Sequence, residues 1–150
     1  MPSNSQILNT ASWITFLVGV LIVIVAWLTV TFGKNKETFA ALGSRELNLA
    51  MTIGTGLMYL ALLMLPAVHL MHFHEQGTLN DYDWGSAVSQ WIGYILLPVA
   101  LYLWDSPSTA TTGAVTLGVS VLALVASAIF ASAAARKRRT KYGALVVRDL

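Results

Sequence analysis

Four stretches of this chain, at about 13–32, 47–71, 84–104 and 109–135, contain no Asp, Glu, Lys or Arg. At about 1.5 Å of rise per residue, a helix of about 20 residues crosses a hydrocarbon core about 30 Å thick. Each stretch meets that length. Lipid offers a backbone no hydrogen-bond partner, so a segment that crosses it is a helix or part of a closed barrel. The short, alternating segments of a barrel are absent. The sequence therefore predicts an all-α integral membrane protein with four transmembrane helices in an up-down bundle. Residues 1–150 would form a single transmembrane domain.

Composition supports that reading. The chain is 56% hydrophobic and 11% charged, against about 25% charged for an average soluble domain. A soluble fold of 150 residues has too little interior to bury so much apolar surface. The first stretch is too long for the apolar region of a signal peptide, and residues 1–12 before it carry no Lys or Arg. It is expected to stay as a span, with no cleaved signal peptide. Trp13 and Trp27 mark the first span, and Trp84 and Trp104 bracket the third, in the manner of aromatic belts. Pro66 and Pro98 lie inside the second and third spans, where a missing N–H predicts a kink. Residues 34–48 read as a short connection, with 39–42 as an interfacial turn of helix. The 72–83 loop carries Gly77 and Asn80 as breakers.

Charge sets the expected orientation. Six of the nine Lys and Arg residues fall between Arg136 and Arg148, and the other three are Lys34, Lys36 and Arg45. With four spans, the N-terminus, the 72–83 loop and the 136–150 tail share one side. The excess of bases places that side, with both termini, in the cytoplasm. Arg136, Lys137, Arg138, Arg139 and Lys141 are expected to anchor the tail on anionic lipid. Beyond them, 144–147 is apolar and could dock on a neighbouring surface. The bases flank an apolar run instead of covering a face, so nucleic acid is not an expected partner.

Chemistry is sparse. With no cysteine, thiolate metal sites, disulfides and cysteine nucleophiles are excluded. No nucleophile elbow, P-loop or dinucleotide fingerprint is present. All three histidines fall in His69-Leu-Met-His72-Phe-His74-Glu75. His69, His72, His74 and Glu75 are the candidate metal ligands, with Asp81 and Asp83 near enough in sequence to add oxygen donors. The plainer reading is that these histidines sit at the membrane boundary and bond to headgroups or a neighbouring chain. A haem held between two helices would need a histidine from another subunit or another copy.

In the fourth span Ala123, Ser127, Ala131 and Ala135 recur every four residues, and Ala114 and Gly118 begin a similar line. Small side chains let helix backbones approach in lipid, so these six form the predicted helix-packing interface, within the chain or between chains. The spans lack internal charge, which argues against an autonomous ion or proton pump. The leading expectation is a small, non-catalytic accessory subunit of a larger membrane complex, associating with lipids and with other subunits or copies of itself. A metal- or haem-binding redox protein using the histidine cluster is one alternative. Another is an oligomeric channel or transporter subunit lined by Thr55, Ser86 and Gln90.

Overall fold

The computed structural model describes the backbone of residues 1–32 and 36–146, and the side chains of residues 1–29 and 49–141. It is all-helical, with α1 Asn4–Phe32, α2 Lys36–Glu75, α3 Asp81–Trp104 and α4 Ala110–Val146. No strand occurs among the described residues. All four helices are long and apolar enough to cross a membrane.

The helices exceed the predicted spans. α2 begins at Lys36, so 36–46 continues the helix of the second span and is no separate interfacial turn. The segment has no proline, and Ala40, Ala41 and Leu42 favour helix enough to carry it through Gly43. The side chains of 39–42 lie outside the described residues. α3 starts at Asp81, three residues before the expected Trp84. α4 continues to Val146, which makes the basic cluster a helical extension. Of the apolar 144–147 segment, only this helical backbone is described. Pro66 and Pro98 both lie inside continuous helix.

The chain divides into two compact units, Met1–Leu65 and Pro66–Leu150. The division falls at the proline whose missing N–H interrupts the hydrogen-bond ladder of α2.

In the first unit, α1 and the first part of α2 form an antiparallel pair. The buried residues of α1 are Ser5, Ser12, Gly19 and Ala26, one every seven positions. Ser12 Oγ donates to the carbonyl of Ala61 at 3.1 Å. One heptad along, Gly19 meets Gly54: a Cβ built on Gly19 would stand 2.6 Å from the Gly54 carbonyl oxygen.

The second unit holds the end of α2 with α3 and α4. Here Ser86, Gly93 and Ala100 of α3 face Ser127, Ser120 and Gly113 of α4. Each step is again seven residues, in opposite directions along the two helices. Ser86 Oγ donates to the Ser127 carbonyl at 3.0 Å, and Ser120 Oγ to the Gly93 carbonyl at 2.7 Å. At Gly113 an added Cβ would lie 2.5 Å from the Trp104 nitrogen. A seven-residue period is the repeat that keeps one seam facing its partner along gently supercoiled helices.

Both units are built inside out relative to a soluble helix pair. The buried lines of α1, α3 and α4 are mostly Ser, Gly and Ala, and the end of α2 adds Pro66, Val68 and Leu70. Large apolar side chains point outward: on α1 these include Leu17, Leu21 and Trp27, at 55%, 60% and 54% exposure, and on α4 Val115, Leu122 and Ile129, at 63%, 69% and 63%.

Candidate functional site at the turn between α2 and α3

Two local signals build the turn that joins α2 to α3. Gly77 takes φ +65°, the left-handed conformation that a side chain disfavours. Its N–H donates to the His74 carbonyl at 3.0 Å, and the Thr78 N–H to the Phe73 carbonyl at 2.9 Å. This is the Schellman closure of a helix C-terminus. Three residues later Asn80 caps α3. Asn80 Oδ1 accepts from the Tyr82 N–H at 3.0 Å, and Asp83 Oδ2 accepts from the Asn80 N–H at 2.9 Å, a reciprocal capping box. With both ends closed, the link 76–80 sets Phe73 at the last turn of α2 and Asp83 at the first turn of α3.

Arg138 of α4 joins these two residues. Its Nη1 donates to both carboxylate oxygens of Asp83, each at 2.7 Å. The guanidinium carbon stands 3.7 Å from the centre of the Phe73 ring, in cation–π range. The Asp83 side chain is 5% exposed and that of Arg138 19%. Removing two charges from water is costly, and an ion pair recovers that cost only with good geometry and further hydrogen bonds. Asp83 has both, through Arg138 and the Asn80 N–H. One residue away, Lys137 Nζ lies 5.5 Å from the centre of the Tyr82 ring.

Beside the ion pair is a cavity of about 180 Å³, walled by Pro66, His69, Phe73, Asp83, Gln90 and Arg138 among others. Its size admits several water molecules and falls below the roughly 300–1,000 Å³ of small-molecule sites. Gln90 Nε2 donates to the Tyr94 hydroxyl at 2.9 Å. Ser86, also on the wall, donates to the Ser127 carbonyl at 3.0 Å.

The predicted metal ligands are placed separately. His69 is exposed on α2 and reaches the cavity wall. His72 Nε2 is hydrogen-bonded to Gln76 Nε2 at 3.0 Å. His74 and Glu75 are exposed at the helix end, as is Asp81. Asp83 is engaged by Arg138. Among the described residues, no three His, Asp or Glu side chains form a group able to hold a metal ion.

Within the chain, the packing line on α4 runs in a different register from the predicted stripe. Of its six residues, Ser127 lies on the buried line. Ala123 and Ala135 are half-buried, while Ala114, Gly118 and Ala131 are exposed. The buried line is Gly113, Ser120, Ser127 and Ala134. Steps of four drift around a helix of 3.6 residues per turn, whereas steps of seven nearly close two turns.

Arg138 also departs from its expected place: it turns inward to Asp83, while Arg136, Lys137, Arg139 and Lys141 remain exposed. The residues missed in the sequence are Asp83, as a buried anion, and its partner. Asn80-x-x-Asp83 is a legible capping signal that would have moved the start of α3 to Asp81. Nothing local couples Asp83 to a base 55 positions away.

In comparisons with protein-family models, curated proteins and solved structures, the chain matches none of them.

Proposed function

We propose that this chain is a four-span integral membrane protein that serves as a non-catalytic subunit of a larger membrane assembly, with both termini in the cytoplasm. One observation carries the reading. The helices seal against each other through Ser, Gly and Ala, and turn Leu, Ile, Val and Trp outward. Such a surface belongs against lipid or the apolar faces of other helices. The polar groups at the α2–α3 turn favour a structural role, because Asp83 and Arg138 neutralise each other and tie three helical segments together. The exposed Ala114 and Gly118 leave a smooth patch on α4 where another helix can approach closely.

The test is purification of the tagged chain from native membranes in mild detergent, with and without Gly118→Ile. The wild-type chain is expected to bring down larger hydrophobic proteins in fixed ratio. The variant is expected to fold, because a Cβ at Gly118 meets nothing within 4 Å, and to lose those partners. A chain recovered alone and monomeric would sink the subunit reading. Stoichiometric metal or pigment lost in His69→Ala or His72→Ala would replace it with the redox one.

A further inference from the structure

An open groove of about 850 Å³ runs along α4, with Tyr82 of α3 on its flank. Val125, Ala128 and Ile129 line one end, Ser132 and Ala133 the middle, and Arg136 and Lys137 the other end. From Val125 to Thr140 the helix rises about 22 Å at about 1.5 Å per residue. One leaflet's share of a core about 30 Å thick is about 15 Å, so the groove reaches from leaflet interior to headgroup level.

The two bases meet no acid in the groove lining. Of the two nearby carboxylates on α3, Asp83 is occupied by Arg138, and Asp81 lines a separate cavity beside Lys137 without pairing with it. Among the described residues, neither Arg136 nor Lys137 forms an ion pair. The Thr140 hydroxyl is turned back to the carbonyls of Arg136 and Lys137, at 3.2 and 3.0 Å, and Lys137 Nζ lies 5.5 Å from the centre of the Tyr82 ring, an uncharged neighbour that leaves its charge unneutralised.

We propose that this groove holds one anionic phospholipid, its phosphate between Arg136 and Lys137 and an acyl chain along Val125, Ala128 and Ile129. The inference rests on the membrane reading above and adds a defined site to it. A soluble phosphate would use only the cationic end. A choline headgroup would bring its own cation to two bases in a groove whose lining carries no acid.

The full chain, purified in a neutral detergent, is titrated with phosphatidylglycerol or phosphatidylcholine, and bound lipid is counted by native mass spectrometry. Phosphatidylglycerol is expected to be retained on the order of tenfold better. Arg136→Gln and Lys137→Gln are each expected to reduce its retention about fivefold, while Arg139→Gln, an equal loss of charge outside the groove, changes it less than about twofold. Ala128→Trp, which fills the apolar end and leaves every charge in place, is expected to lower retention as well. Equal retention of the two lipids overturns the proposal. So does an equal effect of Arg139→Gln, or displacement of the lipid by glycerol 3-phosphate at matching concentration. A chain that washes off membranes without detergent refutes the membrane reading and the groove with it, whereas an embedded chain without lipid preference refutes the groove alone.

Discussion

The ion pair of Asp83 and Arg138 shows how much one buried pair can decide. Each group is tolerable in a low-dielectric setting because the other is there, and removal of one partner leaves an uncompensated charge. Arg138→Met alone is therefore expected to lower stability by about 3 kcal/mol, read as a loss of thermal stability in detergent. In the double variant Asp83→Leu/Arg138→Met the charge problem disappears, so most of the loss should return. A residue of about 1 kcal/mol remains, because Asp83 also closes the capping box with Asn80. If the double variant were less stable than Arg138→Met, the pair would not be the unit of stabilisation. Gly77 is a second test at this scale: with φ +65°, Gly77→Ala should cost about 1–2 kcal/mol, although nothing lies within 4 Å of the added methyl. Sequence made the turn legible through Gly77 and Asn80. It did not reveal the ion pair, whose partners come together only after α4 has folded back along α3.

At the scale of the helix pair, the seven-residue lines of small residues govern packing. Glycines on and off those lines should respond in opposite ways to the same added methyl. Gly113→Ala drives a Cβ to 2.5 Å from the Trp104 nitrogen and 2.9 Å from the Ala100 carbonyl oxygen, backbone atoms that cannot rotate aside. An overpacking cost of about 1–3 kcal/mol follows. Gly19→Ala should behave similarly against Gly54. In Gly118→Ala and Gly56→Ala the methyl enters open space, so stability should hold or rise by about 0.4–1 kcal/mol at most. A thermal-shift series over these four variants checks the assignment, and a Gly118→Ala as damaging as Gly113→Ala would contradict it. Small residues on α4 were visible in the sequence. Their register was not, because Ala, Ser and Gly also occupy neighbouring positions, and the period of four competes with that of seven until α3 supplies the facing surface.

For the molecule as a whole, the distribution of bases predicts that both termini and the α2–α3 turn lie on one side. The absence of cysteine makes the test direct, since a single introduced thiol is the only one present. Ser3→Cys, Thr78→Cys and Lys141→Cys should all react with an impermeant maleimide from the cytoplasmic side of sealed vesicles. Ser106→Cys, in the turn between α3 and α4, should react only from the opposite side. Labelling of Thr78→Cys and Ser106→Cys from the same side would rule out the four-span topology.

The sequence by itself determined that the chain is helical and apolar at four places, because the cost of an unpaired backbone group and the length of a charge-free run are both local properties. It also placed a break between α2 and α3 through Gly77 and Asn80, although the start of α3 fell at Asp81 and not at the expected Trp84. Tertiary structure decided which small residues face inward, that Arg138 leaves the basic cluster to meet Asp83, and that Arg136 and Lys137 stay on an open groove. Those outcomes depend on which surface each helix meets across distances of tens of residues. The hydrophobic pattern that selects a membrane span does not by itself choose the face of that span that meets a neighbour. Close approach at Gly19, Gly54, Gly93 and Gly113 makes that choice, and along α3 and α4 it brings Arg138 to Asp83.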